Sequence, residues 1–253
     1  MKFHFDDKTI AVNVATRDAL AEAVTARWKA GEGFALATIN LDHLAKLETD
    51  PGFVAAYAAQ DFVVADGWPI VTLTRLSGAP VELMPGSDMV EPLCTWAAKA
   101  GVKVGFVGSH DQSLADAKRV LEARVAGLEV VYTHAPAMGF DPEGDAAAEI
   151  LAALTEAGVG MCFLALGAPK QEQLAARGRK LAPTVGFASI GAGLDFFGGH
   201  QVRAPRLARR LRVEWLWRAL TSPRRMVPRY WRAGRLLPRH MREARRQRRE
   251  ALR

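Results

Sequence analysis

Apolar runs of strand length alternate with helix-like segments along most of the chain. FALATIN (34–40) precedes a helical stretch over 41–59, interrupted near Asp50-Pro51-Gly52, and FVVADG (62–67) follows. VKVGFVGS (102–109) leads into DQSLADAKRVLEARV, a helical pattern that Ser109 or Asp111 is placed to cap, and then into LEVVYTHAP (128–136). A helix over 145–157, the run MCFLALG (161–167), the helical PKQEQLAARGRKL and the run VGFASIGAG (185–193) complete the series. Several strands are almost wholly apolar, which is the pattern of strands covered on both faces. Strand followed by helix in this rhythm predicts an α/β fold, a Rossmann-like, largely parallel sheet with helices on both faces. Residues 1–200 read as one α/β domain, and 201–253 as a separate Arg-rich helical appendage.

In open parallel sheets, ligands sit outside the carboxyl ends of the strands. Those exits read Thr38-Ile39-Asn40, Ala65-Asp66-Gly67, Gly108-Ser109-His110, Gly167-Ala168-Pro169-Lys170 and Gly191-Ala192-Gly193. Asp66 is a carboxylate at a strand exit, suited to general-base work and equally suited to a simple Asp-Gly turn. Lys170, Gln171 and Glu172 follow Pro169, where side chains and free backbone N–H groups at a helix start can face a ligand. Thr38 and Asn40 can hydrogen-bond a sugar or cap the helix beginning near Leu41. Gly105 to Ser109 resembles half of a nucleotide-binding turn and equally fits tight-turn glycines with no ligand, and the complete G-x-G-x-x-G fingerprint and the Walker loop are absent. The histidines have no metal-ligand spacing, and no G-x-S-x-G element marks a nucleophilic serine.

Charge changes the picture once it is counted by position. Of 34 Lys+Arg and 27 Asp+Glu, residues 201–253 hold 18 Arg and three acids, a balance of +15 that leaves −8 on the first 200 residues. Such a tail points to a polyanionic partner, either a membrane surface or a nucleic acid. No nucleic-acid-binding motif accompanies it. From Arg225 the arginines recur near the helical period, with Met226, Val227, Tyr230, Leu237 and Met241 opposite them, and Pro228 and Pro238 divide the stretch into two or three helices. For 240–253, a solvated tail and an ordered helix both stay open. Cys94 and Cys162 sit in apolar runs and read as core residues of a reducing compartment. The first residues lack a basic start with a long apolar run, so no secretory signal is expected.

Taken in order, the motifs T-x-N (Thr38, Asn40), A-D-G (65–67), G-S-D (86–88), V-G-F-V-G-S (104–109), G-A-P-K-Q-E (167–172), G-A-G-L-D-F-F-G-G (191–199), R-A-P (203–205), E-W-L-x-R (214–218) and P-R-R-x-x-x-R-Y (223–230) closely resemble the WecG/TagA/CpsF glycosyltransferases, family 26. The resemblance implies an inverting transferase that moves a sugar, N-acetylmannosamine or another hexose, from a UDP-sugar to a polyprenyl-diphosphate-linked sugar. The setting it implies is the inner face of the cytoplasmic membrane, in bacterial cell-surface polysaccharide synthesis such as that of teichoic acid or exopolysaccharide. No essential metal or other cofactor and no nucleic acid is expected, and homo-oligomer formation stays open. By motif, Asp66 is the catalytic base, with Thr38 and Gln171 in the pocket and Asn40 as a further contact. Substrate binding is expected from Gly108, Ser109, Lys170, Gly191, Gly193 and Asp195, and from Arg203, Arg218, Arg224, Arg225 and Arg229 of the appendage, which is expected to target the membrane and close the active site. Leu83 stands where the family commonly has arginine. A nucleic-acid-binding protein and an NAD(P)-linked Rossmann oxidoreductase are the alternative readings of the residues themselves.

Overall fold

A computed structural model describes residues 1–201 and 214–253, apart from the side chains of Glu214, Trp215, Leu216, Arg218 and Arg225. Six short strands form one all-parallel sheet: β3 (Ala35–Ile39), β4 (Phe62–Ala65), β5 (Val104–Gly108), β6 (Val130–His134), β7 (Met161–Ala165) and β8 (Gly186–Ser189). Their order is β4-β3-β8-β7-β5-β6. β3, β5 and β8 are buried at every position because helices cover both sides, as the unbroken apolar runs predict.

One face carries α1 (Arg17–Lys29), α5 (Gly86–Lys99) and α6 (Asp111–Arg124), whose Leu20, Leu93 and Leu121 meet Leu36, Phe106 and Phe163 of the strands. The opposite face carries α7 (Asp145–Glu156) and α8 (Lys170–Leu181), packed on Val107, Leu164 and Phe187. A third cluster joins α2 (Leu41–Leu47), α3 (Pro51–Ala58) and α4 (Trp68–Leu76) to an N-terminal hairpin, β1 (Lys2–Phe5) and β2 (Lys8–Ala11). The chain leaves β3 toward β4 and leaves β5 toward β6, in opposite directions across the sheet. This is the arrangement that opens a crevice above the carboxyl ends of the middle strands.

The expected break near Pro51 separates α2 from α3, and Asp50 caps α3 by accepting from the Phe53 N–H. The cap of α6 differs from expectation. His110, not Ser109 or Asp111, accepts from the Ser113 N–H, because Ser109 is held in the left-handed region at φ 50° and its hydroxyl turns elsewhere.

Three helices follow the gap in the described residues: α9 (Glu214–Thr221), α10 (Pro223–Gly234) and α11 (Leu237–Ala251). Pro228 lies inside α10, and the break falls after Gly234. α10 packs on α2, and α11 packs on α4. α11 is ordered to Ala251 and joins the hairpin: Ala244 is fully buried, His240 meets the Phe3 ring edge-on, and the Gln247 side chain bonds both the N–H and the carbonyl of Lys2. The apolar stripe is only partly covered. Met226 is buried and Met241 packs against the hairpin cluster, whereas Val227 is 54% exposed.

Candidate active site

The carboxyl ends of β3 and β4 place Asn40 and Asp66 side by side, since the two strands pair in register up to Ile39 and Ala65. Asn40 does two jobs there. Its Oδ1 accepts from the His43 N–H and caps α2, while its Nδ2 donates to Asp66 Oδ2 at 3.3 Å. An amide committed through its oxygen to a helix start must present its NH2 group outward, and the Asp66 carboxylate receives it. Asp66 is half-buried, and its own N–H donates to the Ile39 carbonyl at 2.8 Å. The capping role weighed for Asn40 is what the structure shows, and the same side chain also bonds Asp66.

Gln171 and Gly191 meet above β7 and β8. The Gly191 N–H donates to Gln171 Oε1 at 3.0 Å, and Gln171 Nε2 donates to Glu172 Oε1 at 2.8 Å. Gln171 and Glu172 are 2% and 0% exposed. Burial pushes the Glu172 carboxyl up to about 7, against the opposing effects of the Gln171 hydrogen bond, its own backbone N–H and Lys46. Gly191 adopts φ 58°, which a side chain would strain.

On the far side of the crevice, Ser109 and Ser113 both donate to Asp195 Oδ1, the latter at 2.7 Å, and Gln201 donates to Asp195 Oδ2 at 3.2 Å. Asp195 therefore ties the 3-10 turn Gly191–Phe196 to the start of α6. Gly108 sits at φ 121° against the Ala165 carbonyl, where a Cβ would come within 2.4 Å of backbone. Gly193 is close-packed as well, against Ile190, Val90 and Ser87.

Several expected contacts point inward. Thr38 is 4% exposed, and its hydroxyl donates to the Ser189 carbonyl at 3.3 Å, bracing β3 against β8. The N–H groups of Ser109 and Gly193 are taken by the Ala165 and Ile190 carbonyls. Lys170 donates to the Phe140 carbonyl at 2.6 Å and so anchors the loop after β6. In the appendage, Arg229 Nε pairs with Asp42 at 2.8 Å, and Arg224 is exposed. Arg218 and Arg225 lie on α9 and α10, and Arg203 lies outside the described residues. Leu83 forms a parallel bridge with Ala65, one residue before Asp66, and packs into the cluster beneath it.

Sequence reasoning passed over the polar layer under this rim. His43 Nδ1 and Tyr57 Oη lie 2.8 Å apart in a buried pair, and burial lowers His43 to about 3, with Lys46 and Arg229 adding to the effect. Lys46 donates to the Ala168 carbonyl at 3.0 Å and stands 3.5 Å from Asp42. The available signal was the spacing after the Asn40 cap, which puts Asp42, His43 and Lys46 in the first two turns of α2 beside the rim.

The carboxyl ends of the strands thus carry a half-buried carboxylate bonded to Asn40, and a buried glutamine bonded to the Gly191 turn. Among the described residues, no helix is long and apolar enough to cross a membrane. The family model described as Glycosyl transferase WecG/TagA/CpsF family matches residues 8–250, from β2 through α11. The chain belongs to the WecG/TagA/CpsF family, glycosyltransferases of cell-surface polysaccharide synthesis.

Proposed function

We propose that the protein transfers a hexose, N-acetylmannosamine being one candidate, from a UDP-sugar to a polyprenyl-diphosphate-linked sugar, with inversion at the anomeric carbon. The observation that carries this reading is the Asp66 carboxylate, held by Asn40 at a strand exit on the same rim as the buried Gln171–Gly191 pair. Asp66 takes the proton of the acceptor hydroxyl as oxygen attacks the anomeric carbon, and UDP leaves from the opposite face. A positioned base of this kind contributes on the order of 10²–10⁴-fold. Negative charge on the departing diphosphate calls for N–H donors and guanidinium groups. Arg224 is exposed on α10, and α10 packs against α2, the helix that starts beside Asp66. No metal is required by this scheme.

The acceptor is a membrane lipid, and the surface of the appendage suits the inner face of the cytoplasmic membrane. Leu220, Val227 and Trp231 are 71%, 54% and 70% exposed, among exposed Arg224, Arg232 and Arg235. Apolar anchors with arginines fit an anionic interface, where each cation near the surface is worth roughly 1 kcal/mol. The test is transfer from a panel of UDP-sugars to a polyprenyl-diphosphate-sugar analogue, with the anomeric configuration of the product read by NMR. Inverted product from one donor supports the proposal. Retained configuration, or no transfer from any donor, contradicts it.

A further inference from the structure

Glu172 is fully buried at the start of α8, one residue after the glutamine that accepts from the Gly191 N–H. A buried carboxylic acid is costly unless its polar atoms are used. Only one of its oxygens has a partner: Oε1 accepts from Gln171 Nε2 at 2.8 Å, whereas Oε2 makes no hydrogen bond. The groups facing it are Lys46 from α2, Tyr57 from α3, Gln60 just after α3, and Gln171 on its own helix, with Asp66 and His43 beyond Tyr57. Gln60 Nε2 donates to the Glu172 backbone carbonyl at 3.2 Å, and Gln60 Oε1 is also unpartnered. A neutral carboxyl carries no charge into a site where Oε2 finds no donor to accept from.

The two ends of a glutamine amide are nearly isosteric, so its neighbours decide which way it points. Here both neighbours agree. Glu172 demands the NH2 end, and the Gly191 N–H demands the oxygen. Gln171 uses two of its four hydrogen-bonding positions in this way, leaving one N–H and one oxygen lone pair whose direction is fixed. Without Glu172, only Gly191 would set the amide, and the Gln171 side chain that braces the left-handed turn at Gly191 would be held at one end alone.

We propose that Glu172 is a positioning residue for sugar transfer: its buried carboxyl orients the Gln171 amide and, through it, the Gly191–Gly193 turn at the rim. The proposal rests on the transferase reading for its effect on turnover, while the Glu172–Gln171 coupling is measurable without any substrate. The raised ionisation range of Glu172 places its change of charge near neutral pH.

The test uses the full chain labelled with nitrogen-15, titrated from about pH 5 to 9. The Gln171 side-chain amide and the Gly191 backbone amide should shift together with a midpoint near 7. Glu172→Gln should abolish that shift while the thermal midpoint is held or raised. In the transfer assay, Glu172→Gln keeps an acceptor for Gln171 and should retain most of the turnover at pH 6. Glu172→Leu removes it and should lower kcat by about tenfold or more, with little change in the donor KM. A Gln171→Leu/Glu172→Leu double variant should be no worse than Gln171→Leu alone, because the second residue acts through the first. Amide signals indifferent both to pH and to Glu172→Gln would overturn the proposal. So would losses that multiply in the double variant. A wild-type protein silent toward every UDP-sugar would count against the transferase reading, and the amide titration would still decide the role of Glu172.

Discussion

The Arg229 guanidinium pairs with Asp42, so its removal should loosen the appendage. Asp42 is 14% exposed at the side chain, and Arg229 is 32% exposed. Two unit charges about 4 Å apart attract by about 4 kcal/mol at an effective dielectric of about 20. Exposure of one-third of the arginine and the ordering of a long side chain reduce this. Lys46, 3.5 Å from the other Asp42 oxygen, partly compensates for a lost partner. Arg229→Gln should therefore cost about 1–2 kcal/mol, in line with hydrogen bonds to charged groups. Urea unfolding gives the cost, and hydrogen exchange locates it, with faster exchange expected in α10. Asp42→Asn should produce the same pattern. The double-mutant cycle should show coupling of about 1 kcal/mol, and coupling below about 0.3 kcal/mol with unchanged exchange in α10 would refute the pairing argument.

Other substitutions test separate parts of the account. Gly108→Ala places a Cβ 2.4 Å from the Ala165 carbonyl at φ 121°; a cost of at least about 2 kcal/mol in urea unfolding is expected, and a near-neutral effect would contradict the close packing of β5 on β7. Glu172 binds its proton more tightly folded than unfolded, from a usual value of 4.5 up to about 7, so its stabilising contribution is complete below about 4.5 and is lost as pH rises through 7. Glu172→Gln should accordingly gain on wild type by on the order of 3 kcal/mol between those limits, and parallel pH–stability curves would reject the assignment. His43 has the opposite sign: lowered to about 3, it costs stability as pH falls from about 6.5 toward 3, a loss that His43→Gln should remove from acid unfolding curves. Trp231→Asp should weaken sedimentation with phosphatidylglycerol vesicles by about fivefold or more, and unchanged binding would exclude the α10 surface from membrane contact.

The parallel sheet was legible because β3, β5, β7 and β8 are almost wholly apolar and the strand exits carry Gly, Pro and short polar residues. β1 and β2 were not anticipated, as four-residue strands such as KFHF and KTIA give too short a pattern to distinguish. Their stability comes from distant partners, including Ala244 and Gln247 at the other end of the chain. That docking also orders residues 240–251, where composition alone permits a solvated tail. At the site, Asp66, Asn40 and Gln171 could be named from strand exits. The inward engagement of Thr38 and Lys170 could not, since it depends on Ser189 and Phe140, brought close only by the fold. The Glu172 pocket was hidden for a similar reason: in sequence a glutamate in the first turn of a helix reads as exposed, and α3 is what covers it.

The central claim is that Asp66 is the base of a sugar transfer from UDP to a lipid-linked acceptor. Asp66→Asn keeps the size of the side chain and an oxygen able to accept from Asn40 while removing the basic carboxylate. Turnover at saturating donor and acceptor, measured alongside UDP affinity by calorimetry, is the most direct measurement. The account predicts a loss of about 10²–10⁴-fold in kcat with UDP affinity held within about threefold. Undiminished turnover would contradict it.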